Sequence, residues 1–530
     1  MKLEYMKSLF PLAIALVLTV SCGNDDSLTE QGNRSENTVT RFVAKASPIT
    51  RTSGKYDGAG GLDFCWNEND RLWLCNPDAM PHWIRNHQGY SGSGFVPAGD
   101  CASSVSFYFP GTLTREEYSV RYTGESDSPN KVMIQSHQSQ QKPNNATQLG
   151  VAGDCGVAIA KRLPTGTYSF NIAHKSAYAT FLAYSAQGVA ANSRLTKIRV
   201  KANQAIAGEF KLNDSGLDLN NRPVASVANR TIELALGGSG TDFTLPSSPD
   251  PSVNAATMVL APGKYNITVE YTLTDLSTHQ STVITRNYSN LEFEAGLNKT
   301  FLVSFDMPIF YKGLYYMWDA RQHYWFGFDT VQPTTKGNTN GNYPHDKASA
   351  SVRWYNDVEG YDWYYGFPAV SASNSCADCP NVNELAWYAL KGDPHWDDTT
   401  RWYILGHAYT GGIWLKKQTV IASENGVSLS ALRNTAPDGK DLTHKTSFPG
   451  YDNWNLKKGR PSDISHYFFI PAMGNYFNGK FQDIGFHGAV WSSTPAPAGN
   501  NGAYGLGFWH GSVRVLNYNR DLGYPLLKRQ

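Results

Sequence analysis

The chain has 530 residues, 46 Lys and Arg against 45 Asp and Glu, and a net charge of +1. That length exceeds what one hydrophobic core supports, so about two or three domains are expected. The near-neutral charge, with 17% charged and 13% aromatic residues, excludes a basic face for nucleic acid and favours a β-rich globular protein.

At the start, Lys2 and Lys7 precede an apolar run from Leu9 to Val20. It is too short to span a bilayer and has the length of a secretory signal. The run closes on Thr19-Val20-Ser21-Cys22, which resembles a relaxed bacterial lipobox, the alternative being an ordinary cleaved signal. The resemblance implies lipidation at Cys22, and Gly23-Asn24-Asp25-Asp26 looks like the acidic tag of surface-exposed lipoproteins. We therefore expect a lipoprotein signal over 1–22, a polar tether over 23–39, and an outer-membrane, cell-surface location.

Six further cysteines follow, Cys65, Cys75, Cys101, Cys155, Cys376 and Cys379. An exported chain permits disulfides, but six cysteines allow fifteen pairings and spacing does not choose among them. Cys376-Ala377-Asp378-Cys379 lacks the second ligand pair of a zinc site, so a structural bridge or idle thiols are expected.

From residue 40 to 307, strand-like runs recur between Gly, Pro, Asn and Ser clusters: Thr40 to Lys45, Arg71 to Cys75, Ser104 to Phe109, Thr167 to Ala173, Leu195 to Val200, Thr231 to Leu236, Tyr265 to Leu273 and Leu297 to Phe305. Most alternate apolar with polar, predicting β-sandwiches. Arg41-Phe42-Val43-Ala44, Ile49-Thr50-Arg51-Thr52, Asp70-Arg71-Leu72-Trp73-Leu74, Phe170 to Lys175, Gly208-Glu209-Phe210 and Phe293-Glu294-Ala295-Gly296 together resemble the fimbrillin-like, or Mfa-like, pilins of type V pili. The resemblance implies transthyretin-like sandwiches at 40–165 and 166–307. It also implies proteolysis after Arg41 or Arg51 and acceptance of a donor strand from a neighbouring pilin subunit. If neither arginine is cut, the domain is a plain sandwich.

Beyond residue 310 the composition changes: eleven of the fourteen Trp lie there, marking a third domain over 312–530. One short helix is signalled, Asn383 to Leu390, with Gly392 past its end. In the last forty residues Tyr504, Leu506 and Phe508 alternate with Gly505, Gly507 and Trp509. A turn at His510, Gly511 and Ser512 leads to a second alternating run through Val513, Arg514 and Val515. Phe468 to Ala472, Asn478-Gly479, Trp491-Ser492-Ser493-Thr494 and Ala503-Tyr504 resemble a C-type-lectin-like α+β module related to the formylglycine-generating enzyme, a shape found in proteins diversified by retroelements. The resemblance implies a scaffold of Trp491, Tyr504, Leu506, Phe508, Val513, Arg520 and Gly523. The implied ligand-binding face is Gly505, Gly507, Trp509, His510, Ser512, Arg514, Asn517, Tyr518, Asn519, Asp521 and Tyr524, unless these aromatics close the domain's own core.

Metal and enzyme signals are thin. Gln332-Pro333-Thr334 and Tyr355-Asn356-Asp357 are fragments of a calcium-lectin set, and Asp393, His395, Asp397 and Asp398 read as a solvated turn. No Cys follows Cys379 to supply the oxidase's catalytic pair, and the P-loop-like spacing at Gly474 to Lys480 lacks the Ser or Thr. We expect no enzyme, no metal and no cofactor. The expected function is a pilus tip adhesin binding a protein or glycan. The alternatives are a membrane-anchored glycan-capture lipoprotein and a degenerate formylglycine-generating-type enzyme.

Overall fold

A computed structural model describes residues 38–45, 53–66, 70–86, 104–186, 192–239, 242–305, 310–361, 364, 366, 368–444, 450–497 and 501–529. The leader with Cys22, Arg51 and Cys101 lie outside the described residues. Among those described the fold is mostly β, with short helices confined largely to the C-terminal third.

The first domain is built on one sheet whose strands run Trp83–Arg85, Leu72–Cys75, Glu117–Tyr122, Gly156–Arg162, Tyr168–Phe170, Val39–Lys45 and Ser104–Pro110. The sheet curls until its two edge strands meet, so both layers of the sandwich come from it. Phe42 and Ala44 point into the core, 0% and 1% exposed, and the Phe42 ring stacks on Tyr168 at 4.4 Å. Val39–Lys45 is antiparallel to Ser104–Pro110 on one side and parallel to Tyr168–Phe170 on the other. Arg41 is therefore in a strand paired on both edges, its guanidinium Nε donating to Ser106 Oγ at 3.0 Å.

The second domain packs the sheet Ser281–Phe293, Gly263–Asp275, Ser193–Ala202, Thr231–Leu236, His137–Gln140 against Ala256–Leu260, Ala177–Tyr184, Asn298–Ser304. Phe181, Val200, Tyr271 and Phe301 lie between the layers. Along Gly263–Asp275 buried and less buried residues alternate, because its other face meets water. Ala177–Tyr184 and Ala256–Leu260 are buried almost throughout, and this explains why period-two reading passed over them. Their outer face is covered by Tyr56, Phe64 and Leu149, which pack on Tyr178, Leu182 and Val259.

A boundary at 165/166 does not describe this packing. Lys131–Ile134 and His137–Gln140 lie within the first domain's sequence range yet pair with Gly208–Asn213 and Thr231–Leu236 of the second. Asp154, His174 and Tyr178 then rivet the two together. The buried Asp154 carboxylate lies 3.0 Å from His174 Nδ1 and accepts from the Tyr178 hydroxyl at 2.5 Å, and the His174 ring stacks on Phe64 at 4.3 Å.

In the C-terminal domain the helix Val382–Lys391 starts on a capping box formed by Asn381 and Glu384 and ends at Gly392. It matches the predicted helix to within a residue at each end. Two further short helices, Gln418–Glu424 and Leu429–Asn434, were not expected from the sequence. The first helix packs on a four-stranded sheet ordered Tyr451–Asn453, Ser512–Asn519, Gly502–Trp509, His487–Pro495, and Tyr388, Leu506, Phe508, Val513 and Val515 share that core. The tryptophan-rich loops are held by a second aromatic cluster that includes Tyr315, Tyr324, Trp325, Trp402, Tyr476 and Phe481.

The acidic run at 393–398 is divided among structural contacts. Asp393 meets Lys457 at 2.8 Å and accepts from the Tyr467 hydroxyl at 2.7 Å. Asp397, 0% exposed, accepts from the backbone amide and hydroxyl of Thr399, from Thr400 and from the Trp414 indole N–H. Burial raises its carboxyl, but these donors outweigh burial and hold it at about 2. A carboxylate depressed in the fold stabilises above its unfolded value, near about 3.9, and that stability is lost as pH falls towards about 2. Asp397→Ala should cost about 1–2 kcal/mol at pH 7, with the difference from wild type shrinking below pH 4, as read by urea unfolding across pH. Cys376 and Cys379 are buried, unbridged thiols.

Candidate functional site

The two C-terminal strands form a hairpin in which Ala503 faces Tyr518, Gly505 faces Leu516, Gly507 faces Arg514 and Trp509 faces Ser512. Since side chains alternate across a sheet, Tyr504, Leu506, Phe508, Val513 and Val515 point towards the helix, as the alternation predicts. The opposite face carries Trp491, Gly505, Gly507, Trp509, Ser512, Arg514 and Tyr518.

Half of that opposite face is itself core, which corrects the expected recognition surface. Trp318, Cys376, Cys379, Trp491 and Tyr524 pack there. Tyr524 is 4% exposed and Ser512 0%, so neither presents a side chain to a partner. Gly505 and Gly507 are buried because the Tyr518 ring lies across them. A Cβ on Gly505 would come within 3.1 Å of that ring, and one on Gly507 would overlap the Tyr518 hydroxyl. Tyr518 packs edge-on against Tyr524 at 5.1 Å and Trp491 at 6.2 Å. Its hydroxyl is covered and has no hydrogen-bond partner, and burial pushes its pKa up. Asp521 is half-buried, its carboxyl likewise raised by burial. The two glycines are therefore seats for Tyr518 and not contact residues. Gly507→Ala should unseat that ring and lower stability by roughly 1–3 kcal/mol, measured by thermal melting.

Asn517 and Asn519 are exposed, but they fall on the Val513 face of the strand and near its far end. Asn519 is seven residues from Ser512, ~23 Å at about 3.3 Å per residue. The structure does not gather them with Trp509. Arg520 and Gly523 are buried, as expected of scaffold: Arg520 is 1% exposed, and a Cβ on Gly523 would meet the Tyr324 ring at 2.8 Å.

What does come together is a ridge at the hairpin's turn. Trp509 meets Trp454 edge to face, centroids 6.1 Å apart at 81°. The Arg514 guanidinium sits 5.1 Å from the Trp454 ring and 5.9 Å from Trp509, held by Asp452 at 2.8 Å on the neighbouring strand. His487 lies 6.1 Å from Trp509, and His510 5.8 Å from Phe486. Trp454 is 59% and Phe486 54% exposed.

Sequence reasoning included Trp509, His510 and Arg514 but missed Trp454, Phe486 and His487. Trp454 directly follows the strand Tyr451–Asn453, about sixty residues upstream, whose register with Arg514 only the fold supplies. An exposed indole, a half-buried one and a guanidinium supply flat apolar area, an N–H donor and a fixed positive charge in one place. That set can stack on a ring or a sugar face and hydrogen-bond its rim.

A scan of protein-family models and a comparison with curated proteins find no match. Solved structures do align, at low similarity. A Bacteroides ovatus protein described as a candidate cell adhesion protein is 12% identical, with 52% of this chain and 94% of that one covered, TM-score 0.33. A fimbrial protein from Bacteroides ovatus is 10% identical over 93% of this chain and 98% of that one, TM-score 0.27. The fimbrial anchor protein Mfa2 from Porphyromonas gingivalis is 8% identical over 50% and 90%, TM-score 0.21. At these scores the fold rests on the chain's own strand pairing.

Proposed function

We propose that the chain is a surface adhesion subunit of fimbrial type that binds, without catalysis, a protein or glycan through its C-terminal domain. Two β-domains carry that domain outward, and the ridge of Trp454, Trp509 and Arg514 is the contact centre. The observation that carries the reading is the ridge itself: two tryptophans left at the surface, one of them 59% exposed, in a domain that buries most of its aromatics. Aromatic and Arg side chains in such a setting dominate binding energy.

In the same reading Cys22 bears the lipid anchor until the chain is cut, and Val39–Lys45 occupies the position a donor strand from a neighbouring subunit would take; of the two candidate cuts, one after Arg51 would free the whole strand, whereas one after Arg41 would leave Phe42 and Ala44 in place. The strand's pairing on both edges and its inward Phe42 and Ala44 suit such an exchange, because a replacement must restore two hydrogen-bond ladders and two pockets. Residues 512–527 are committed to their own domain: Ser512–Asn519 is a sheet strand, Tyr524 bridges Tyr316 and Leu526 bridges Trp491. Among the described residues, 512–527 offers no free strand to donate, which supports a tip position in this reading.

The test is binding of the full chain to an immobilised glycan array and to purified host matrix proteins. Trp454→Ala and Trp509→Ala should each weaken binding by about 2 kcal/mol, roughly thirty-fold. Unchanged binding by both, with unchanged circular dichroism, would remove the ridge from the site.

A further inference from the structure

We infer that recognition extends off the ridge into a cleft shared by the second and C-terminal domains, and that this cleft takes a pyranose carrying a carboxylate. The inference rests on the ridge reading above for its neighbour and on its own lining for its chemistry. The cleft has a volume of about 450 Å³, within the roughly 300–1,000 Å³ of small-molecule sites.

One wall is the turn joining Gly263–Asp275 to Ser281–Phe293 of the second domain, which supplies Ser277, Thr278 and Gln280. The other comes from three C-terminal segments, with Lys336, Tyr409, Thr410 and Phe486 contributing. Neither domain alone has both walls.

The turn is fixed before any ligand arrives. Asp275 Oδ1 accepts from the backbone amides of Ser277 and Thr278 at 2.9 and 3.0 Å, and the Thr278 hydroxyl donates to the Ala408 carbonyl at 2.9 Å. A preformed wall spares the entropy of ordering it on binding.

The lining identifies the ligand class. Hydroxyls and an amide converge from both walls, matching a ligand that presents several hydroxyls of its own. The exposed Phe486 offers a ring face for the C–H side of a pyranose. Among the described residues of the lining Lys336 is the one that is charged and none is a carboxylate, so a negative group on the sugar would meet an ammonium with no lining carboxylate to offset it. Phe486 also touches His510 on the ridge, centroids 5.8 Å apart. A chain of sugars leaving the cleft would therefore pass directly onto Trp509 and Trp454.

The experiment uses the full chain against an array of sialyl- and uronyl-terminated oligosaccharides, each paired with its carboxyl methyl ester. Wild type should favour the free acids at least ten-fold. Lys336→Ala should abolish that preference, and Gln280→Ala should weaken both members of each pair about five-fold or more. If Trp454→Ala loses binding while Lys336→Ala and Gln280→Ala do not, the ridge stands and the cleft is overturned. The reverse pattern keeps the cleft and removes the ridge. No binding to any of these sugars, or equal binding of acid and ester by wild type, overturns the inference.

Discussion

Asp275→Ala should uncouple the second domain from the C-terminal domain. Asp275 is 1% exposed at the end of Gly263–Asp275. Its Oδ2 lies 3.1 Å from His407 Nδ1 and accepts from the Ala408 backbone amide at 3.0 Å; its Oδ1 serves the turn amides already described. His407, 3% exposed, reaches Thr334 Oγ1 and Asn192 Nδ2 on its other nitrogen, both at 3.3 Å. Around them Tyr403 and Ala408, from a hairpin of Trp402–Ile404 and His407–Tyr409 in the C-terminal domain, are part of the second domain's core.

Removing the carboxylate would strand several donors in a dry junction at once, a loss of about 3–5 kcal/mol by the cost of breaking a buried polar pair. One cooperative thermal transition should split into two, and the hairpin around His407 should become cleavable by added protease. Asp275→Asn separates the two jobs of the side chain. Its carbonyl keeps the turn, while its NH₂ confronts the Ala408 N–H, so about 1–3 kcal/mol should be lost from the junction alone.

Acid should act in the same direction. Burial raises the Asp275 carboxyl, but hydrogen bonds from His407 and from the Ala408 and Thr278 amides outweigh it and hold it below the ordinary aspartate range. Its contribution is then complete above about pH 4 and is lost as pH falls through the depressed value. The junction is also what sets the two walls of the cleft against each other. A C-terminal domain expressed alone would lose both the wall and the interface.

The local pattern of the fold was legible, and its layering was not. Thr231 to Leu236 was read to the residue, and Tyr504, Leu506 and Phe508 face the core that their spacing requires. Alternation reports which residues share a face of a strand; it does not report whether the second face is covered. Gly505 and Gly507 read as a stripped outer surface because the group that covers them is Tyr518, thirteen and eleven residues on, itself packed against Trp491 and Tyr524. The continuous burial of Ala177–Tyr184 hid that strand for the opposite reason, since two covered faces erase the period. The helix Val382–Lys391 was visible because a capping residue and a following glycine are local signals. Of the ridge, Trp509, His510 and Arg514 were readable from the hairpin, while Trp454 and Phe486 belong to it only through sheet register and turn geometry.

The second large effect is expected at Arg520, a positioning residue that touches no proposed ligand. Its Nε donates to the Gly502 carbonyl and its Nη1 to the carbonyls of Asn356 and Val358, each at 2.7 Å, with the guanidinium 4.3 Å from the Trp318 ring. Burial lowers its pKa to about 10, still high enough to keep the charge at neutral pH. One side chain thus ties the start of Gly502–Trp509 to the 356–358 segment. That segment is tied in turn to Asp319, which accepts from Asn356 Nδ2 at 2.8 Å and from the amides of Ser373, Asn374 and Cys376.

Arg520→Ala would leave the Asn356 and Val358 carbonyls unpaired, take one of two donors from the Gly502 carbonyl, which keeps the Ala496 amide, and open a cavity against Trp318, costing about 3–5 kcal/mol. Arg520→Lys keeps the charge but replaces a planar fork with a point donor, so it should recover less than half of that loss. Urea unfolding measures both. Trp454 and Trp509 sit at the opposite end of the hairpin, so under conditions where Arg520→Ala is still folded, ligand binding through the ridge should match wild type while the midpoint falls. A parallel loss of affinity in the folded variant would show that the two ends of this sheet are mechanically one unit, and that the scaffold sets the geometry of the ridge as well as its stability.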